Sequence, residues 1–224
     1  MSWKDLGIPR PRRKPRVYCP IQWPVRDSRL LLQPSIELAA DFFSVVMARR
    51  TRREFGPVSL PHLSNLLWFC ARQQATAESP FGFPLELRPT LSAGALHPIH
   101  VLLSFDPAGD WLRYNPDHHC LDALAIDSEL SHALWREAET VLPVEQGILL
   151  LYIAEPDKVE AKYSASQSLV WRDAGALLGH TALVAEALAL NFCPLGITGE
   201  PWVGRLAEQG QLVGVGMAVV GTRF

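Results

Sequence analysis

The segment spanning residues 164–190, SASQSLVWRDAGALLGHTALVAEALAL, constrains the fold of this chain more than any other. It predicts one long helix, and after Arg172 and Asp173 only Glu186 and, when protonated, His180 carry charge in it. A helix that is apolar on nearly all sides is buried on most of them. In a chain of 224 residues, such a helix lies against the core sheet, in an interface between two copies, or in both.

Small residues on this helix favour the interface. Gly175 and Gly179 follow Ser168 and Arg172 on one side, where they leave a groove that another backbone can approach. The helix, from about Ser166 to Leu190, therefore predicts an obligate dimer with a large, hydrophobic interface.

The remaining elements are short and mixed in type. Helical spacing runs through IELAADFFSVVMARR with Ser35 as a candidate N-cap, and a second helix is predicted to start near Ser59. Residues 74–92 are rich in proline and are predicted to form a loop. The predicted strands are IHVLLSF (99–105), its hairpin partner WLRYN (111–115), ILLLYIA (148–154) and LVGVGMAVVG (212–221). Helices mixed with hairpins, without βαβ alternation, predict an α+β layered fold.

The first thirty residues differ from the rest. Six of the 21 basic residues fall in the first sixteen positions, between prolines, which predicts a basic, extended N-terminal arm (1–30) ahead of the folded domain (31–224). The overall net charge of −2 gives no reason to expect nucleic acid or an anionic membrane as a partner. Without a signal-like or membrane-spanning run, and with four scattered cysteines and no CxxC pair, we expect a cytoplasmic protein with free thiols and no metal.

Four motifs carry candidate chemistry, and each has a plainer structural explanation. ARRTRREF (48–55) offers guanidinium groups and a hydroxyl to a phosphate, or complements a helix C-terminus. RPTLSAGALHP (88–98) lets backbone amides approach a flat or anionic ligand, or is a strand-entry turn. EAKYS (160–164) offers Lys162 and Tyr163 for proton transfer, or as packing groups. GITGEPW (196–202) is a turn pressed against a ligand, or a helix C-cap and its loop.

In this order and at these separations, the motifs resemble the nitroreductase superfamily of FMN enzymes, and within it the SagB-type thiazole/oxazole-forming dehydrogenases. The resemblance runs from about Val45 to Gly221, with His97 in place of the usual tyrosine and Ser164 in place of the usual glycine. It implies a mostly antiparallel sheet flanked by helices and FMN at a homodimer interface. The implied catalytic residues are Lys162 and Tyr163. The implied FMN-binding residues are Arg49, Arg50, Thr51, Arg53, Pro89, Thr90, Ser92, Ala93, Gly94, Thr198, Gly199, Glu200 and Arg223.

The implied reaction is oxidation of peptide thiazolines or oxazolines to azoles during maturation of a peptide natural product. One ring hydrogen leaves as a proton, to Lys162 or Tyr163, and the other as hydride to the flavin. A cyclodehydratase complex and a precursor peptide are the implied partners. Two alternatives stay open: an NAD(P)H-dependent nitro- or quinone reductase, and a non-enzymatic flavin-binding scaffold subunit of a modification complex.

Overall fold

The computed structural model describes residues 4–35, 40–206 and 211–223. In this part of the chain the helices are α1 (Phe42–Ala48), α2 (Leu60–Ala71), α3 (Ser128–Glu139), α4 (Pro156–Lys162) and α5 (Gln167–Ala187). The strands are β1 (Arg10–Pro11), β2 (Val25–Leu30), β3 (Ala75–Ala77), β4 (Leu85–Leu87), β5 (Ile99–Ser104), β6 (Leu112–Asn115), β7 (Cys120–Leu124), β8 (Ile148–Ala154), β9 (Tyr163–Ser164), β10 (Leu190–Leu195) and β11 (Val213–Thr222).

Seven strands form the central sheet, in the order β10-β11-β8-β5-β6-β7-β2. Every neighbouring pair is antiparallel. The prediction of an α+β fold with a mostly antiparallel sheet is therefore confirmed. The predicted strand at 148–154 is β8, and the predicted hairpin is β5 with β6.

The fully buried β8 explains why its sequence is a continuous apolar run. Ile148, Leu150 and Tyr152 belong to the core on the side of α2 and α5, whereas Leu149 and Leu151 belong to the core on the side of α3. Because strand side chains alternate between the two faces, a strand covered on both faces needs apolar residues at every position.

The described residues cover helix α5 on one face only. Its buried residues are Val170, Asp173, Ala174, Leu177, Thr181 and Ala185. On the opposite side Trp171 is 45% exposed, and a side chain added at Gly175 or Gly179 would meet nothing within 4 Å. A single chain thus leaves open the side of α5 that the sequence predicts to be covered.

Helix α1 lies beside α5, and the described residues leave its apolar side exposed as well. Its apolar residues Phe42, Phe43 and Met47 are 62%, 76% and 74% exposed. The helix begins after Asp41, whose carboxylate accepts a hydrogen bond from the Ser44 amide at 2.7 Å, so Asp41 takes the N-cap role predicted for Ser35. Residues 36–39 of the predicted helix lie outside the described residues.

Two predicted irregular segments contain strands. The predicted loop 74–92 contains the β3–β4 hairpin, and the predicted arm contains β2, which is the edge strand of the sheet and pairs with β7. Residues 10–11 of the arm pair with β9. Among the helices that the structure describes, each is too short or too polar to cross a bilayer.

Candidate active site

The loop from Ser92 to His97, the glycine loop, is anchored by one carboxylate of α5. The Ser92 hydroxyl donates to Asp173 Oδ2 at 2.5 Å, and the Ala93 amide donates to Asp173 Oδ1 at 3.0 Å. Burial raises the pKa of Asp173, and the hydrogen bonds from Ser92 and Ala93 offset only part of that rise. The Ala93 amide, which the sequence predicts to face a flat or anionic ligand, is therefore bonded within the chain.

His97 closes this loop. Its backbone amide donates to Ser92 Oγ at 2.9 Å, and its Nε2 lies 2.9 Å from the carbonyl oxygen of Glu86. Burial, followed by the charge of nearby Arg88, lowers the pKa of His97 to about 3, so the ring is neutral at pH 7. A neutral ring facing a carbonyl donates from Nε2, and this assigns the proton to that nitrogen. Earlier in the segment, Thr90 donates to the Cys70 carbonyl at 2.7 Å.

The side chains of Lys162 and Tyr163 converge on Gly94. Lys162 Nζ donates to the Gly94 carbonyl at 3.2 Å. A Cβ atom at Gly94 would lie 2.8 Å from both Lys162 Nζ and Tyr163 Oη. The two tips are thus within twice that distance of each other. Gly94 also has a φ of +68°, so its position requires glycine for both space and backbone conformation.

Helix α4 carries this pair. Pro156 starts it at a position where the missing N–H costs nothing, and it ends at Lys162. Tyr163 and Ser164 then continue as β9. The pair therefore lies at a helix-to-strand junction, close to the glycine loop.

The basic segment 49–53 divides into engaged and free side chains. Arg50 donates to the carbonyls of Met47 and Arg49 at 2.9 and 2.8 Å. Arg50 thus binds carbonyl groups at the C-terminus of α1, which is the plainer of the two roles that the sequence predicts. Arg52 pairs with Glu186 at 2.7 Å. Arg49 and Arg53 form no ion pair within the described residues, and Thr51 beside them is exposed.

Glu186, at the end of α5, joins this segment to the last strand. It pairs with Arg223 at 2.8 Å as well as with Arg52. Burial raises its pKa, but the two arginines outweigh burial and hold the pKa of Glu186 below its ordinary value. This cluster has two positive charges against one negative charge. Arg49 and Arg53, which have no ionic partner among the described residues, and the Thr51 hydroxyl lie beside it, and such a set fits a doubly charged phosphate group.

The turn at Thr198–Glu200 belongs neither to the glycine loop nor to the basic segment. Gly199 has a φ of +84°, and a Cβ there would lie 2.7 Å from Leu151, on the α3 side of the sheet. Glu200 accepts a hydrogen bond from the Gly214 amide at 2.6 Å, beside a register shift in β11. The predicted site residues thus do not form one cluster within a single chain.

The two polar clusters occupy opposite ends of α5. Asp173, at the glycine loop, and Glu186, at the basic segment, are thirteen residues apart, which is about 20 Å at the helical rise per residue. Sequence reasoning missed both carboxylates as site residues. Their signal is that they are the only acidic residues of an otherwise apolar helix.

No protein-family model matches the chain, and no curated protein matches its sequence. Solved structures do match it. A proposed nitroreductase of Ralstonia eutropha JMP134 has a TM-score of 0.66 at 19% identity, covering 94% of this chain and 98% of that one. A proposed nitroreductase of Anabaena variabilis has a TM-score of 0.56 at 20% identity, covering 71% of this chain and 34% of that one.

A third match is a chain of the Escherichia coli microcin synthetase McbBCD complex with truncated pro-MccB17 bound. Its TM-score is 0.56 at 16% identity, and the match covers 87% of this chain and 78% of that one. All three identities are low, so these matches bear on architecture. The chain has the nitroreductase fold.

Proposed function

We propose that this protein is an FMN-dependent dehydrogenase that oxidises thiazolines or oxazolines in a peptide to thiazoles or oxazoles. The observation that carries the proposal is the convergence of Lys162 Nζ and Tyr163 Oη on Gly94, in a loop fixed by Asp173. A lysine and a tyrosine placed together supply a group that removes a proton and a neighbour that stabilises the resulting charge.

The proposed flavin contacts come from both clusters and from the turn at Thr198–Glu200. Arg49, Thr51 and Arg53 would hold the phosphate, while Arg50, Arg52 and Arg223 shape the surrounding positive surface. The loop segment Pro89–Gly94 and the turn Thr198–Glu200 would border the rest of the cofactor. When bound, FMN supplies the acceptor for the hydride that leaves the azoline ring.

The chain's own residues manage the proton. The azoline hydrogen next to the carbonyl group is acidified, so a base near it is the chemical requirement. Either the Lys162 amine, in its neutral form, or the Tyr163 side chain, in its phenolate form, can take this proton. If Tyr163 is the base, the neighbouring Lys162 cation would stabilise the phenolate before the transfer, because opposite charges attract at short range, and Tyr163 would become a neutral phenol after it.

The separation of the clusters supports a homodimer. On one chain the basic segment and the glycine loop lie about 20 Å apart along α5. The exposed apolar residues of α1 and the open glycine side of α5 offer a second copy a surface to cover. We propose that the basic segment of one copy and the glycine loop of the other complete one site.

We further propose that the protein works in the cytoplasm on a precursor peptide, beside a cyclodehydratase that makes the azolines. This is supported by the structural similarity to a chain from a synthetase complex with a peptide bound. The nitro- or quinone reductase alternative has no need of the Lys162–Tyr163 pair, which is why we rank it second.

The experiment supplies purified protein with FMN and a peptide that contains a thiazoline, with oxygen as acceptor. We expect yellow protein that releases FMN, not FAD, on denaturation, and a peptide product lighter by two hydrogens. A parallel sample receives NADPH and a nitroaromatic compound instead. Fast bleaching by NADPH with an unchanged peptide would favour the reductase, and colourless protein that takes up no FMN would remove the basis of both.

A further inference from the structure

The N-terminal arm completes the helix that carries the proposed reacting pair. The last four carbonyl groups of a helix have no partner inside it and need one elsewhere. In α4 these belong to Val159, Glu160, Ala161 and Lys162. The helix itself supplies one partner, since the Tyr163 amide bonds to the Val159 carbonyl.

The arm supplies partners for the other three. Arg12 Nε donates to the Glu160 carbonyl at 2.5 Å, and the Arg12 amide donates to the Lys162 carbonyl at 2.8 Å. The Arg16 amide donates to the Ala161 carbonyl at 3.0 Å. A segment almost 150 residues away in sequence therefore acts as the C-cap of α4.

The arm is held on both sides of this cap. Before it, β1 pairs with β9, and the Ser164 hydroxyl donates to the Arg10 carbonyl at 3.3 Å. After it, the Tyr18 hydroxyl and the Ile21 amide donate to Glu155 Oε1 at 2.8 and 2.7 Å. Glu155 is fully buried and directly precedes α4, so the arm is anchored at both ends of that helix.

We propose that the arm is a positioning element for the reacting pair, with Arg12 as its central residue. By capping α4 and pairing with β9, residues 10–16 fix the backbone of Lys162 and Tyr163, and hence the distance of both tips from Gly94. The catalytic role of Lys162 and Tyr163 rests on the proposed function, whereas the contact between residues 10–16 and α4 does not.

The test compares three variants of the full chain with the wild type. Deletion of residues 1–16 removes the whole cap, Arg12→Ala removes only the guanidinium bond, and Arg12→Lys restores a cation at that place. Arg13→Ala is the matched control, because Arg13 is exposed and forms no hydrogen bond within the described residues. Circular dichroism and FMN content verify that each variant is folded and loaded.

The first readout is independent of activity. Hydrogen exchange of a peptide covering residues 156–165 should be at least about tenfold faster in the deletion variant and intermediate in Arg12→Ala, because frayed helix ends exchange from the open state. Arg13→Ala should match the wild type. Unchanged exchange in a folded deletion variant would overturn the proposal, whether or not azoline oxidation is found.

The second readout is the split between kcat and KM for azoline oxidation. We expect kcat to fall by about 10–100-fold in the deletion variant, as for a displaced catalytic group, with KM and flavin reduction by NADPH unchanged. Arg12→Lys should recover part of the loss seen in Arg12→Ala. Faster oxidation after deletion would mean that the arm obstructs the site, and this too would overturn the proposal. If the deletion variant does not fold, Arg12→Ala against Arg13→Ala decides.

Discussion

The two ends of helix α5 differ in how completely the chain satisfies its own polar groups. At the Asp173 end, the Ser92 hydroxyl, the Ala93 amide and the Lys162 amine all have partners within the chain. At the Glu186 end, Arg52 is paired, but Arg49 and Arg53 have no ionic partner among the described residues. Under the proposed function, the first end is preorganised for proton transfer, whereas the second would receive the phosphate of FMN. Substitutions at the two ends should therefore fail in different ways.

The largest effect is expected at the preorganised end. Lys162→Ala and Tyr163→Phe should lower the rate of azoline oxidation by about 10²–10⁴-fold, the usual contribution of a general acid–base group. FMN content, fold and dimer should be retained, and flavin reduction by NADPH should be nearly unaffected. Rates are measured by mass spectrometry of the peptide product. Tyr163→Phe is the sharper variant because it deletes only the hydroxyl.

Two outcomes would break this assignment. Loss of flavin or unfolding in both variants would make the pair structural and would favour the reductase. Full activity in both would place the base elsewhere. His97 is a poor substitute, because its Nε2 proton is engaged by the Glu86 carbonyl.

The second prediction concerns the homodimer, in which a second copy would cover the open side of α5 and α1. Phe43→Glu should weaken the dimer by about 2–4 kcal/mol if Phe43 is a buried anchor of the interface. The matched control is Phe105→Glu, on an exposed residue at the end of β5. Sedimentation over a concentration series measures the shift. A stable FMN-loaded wild-type monomer at low micromolar concentration would contradict the dimer.

The third effect belongs to the anion-receiving end. Arg49→Ala and Arg53→Ala should each weaken FMN binding by about 1.5–3 kcal/mol, the value of a charged hydrogen bond. Saturating FMN should restore the rate of azoline oxidation, unlike at Lys162. Arg26→Ala, on an exposed surface pair with Asp110, controls for net charge. Fluorescence titration gives the affinities, and wild-type affinity in both variants would leave these arginines as helix-end residues only.

The last effect is a pH dependence at the glycine loop. The folded-state pKa of His97 is about 3, against an ordinary value of 6.5, so the unfolded chain binds the extra proton between these pH values. Burial of the neutral His97 ring therefore costs no stability above pH 6.5. Below pH 6.5 the free energy of unfolding falls as the pH drops, by up to about 1.4 kcal/mol per pH unit. Urea unfolding at several pH values between 7.5 and 4.5 gives the free energy of unfolding at each pH. This free energy should fall less steeply with decreasing pH in His97→Gln than in the wild type. The same pH dependence of the free energy of unfolding in His97→Gln and wild type would mean that His97 titrates normally. The control is His118→Gln, because His118 is exposed.

The sequence predicted the helices and strands whose own residues form a clear local pattern. Helix α2 starts near Ser59 as predicted, and β8 has the predicted bounds. Ser59 is the N-cap of α2 and accepts a hydrogen bond from the His62 amide. The hairpin β3–β4 and the edge strand β2 were missed because proline and charge dominate their surroundings. Their pairing depends on partners that local pattern does not reveal.

The site was predicted by residue type but not by contact. Lys162, Tyr163 and Gly94 lie together in the structure, and their roles in a site stay a prediction. The carboxylate that fixes the loop, Asp173, carries no motif of its own. The capping of α4 by Arg12 spans 148 positions, and no window of sequence contains both partners. Long-range hydrogen bonds between backbone groups depend on the fold, so they leave almost no trace in residue identity.

That span also sets an order of events during synthesis. The arm leaves the ribosome long before α4 exists, and it has to wait, extended and strongly cationic, until residues 160–164 have emerged. Contacts between such distant segments close late, since the intervening chain must first be ordered. The lysine and tyrosine at the end of α4 would thus gain their final geometry among the last steps of folding. A partly folded chain whose arm has not yet docked would then lack the final positions of Lys162 and Tyr163, even with the loop already bonded to Asp173.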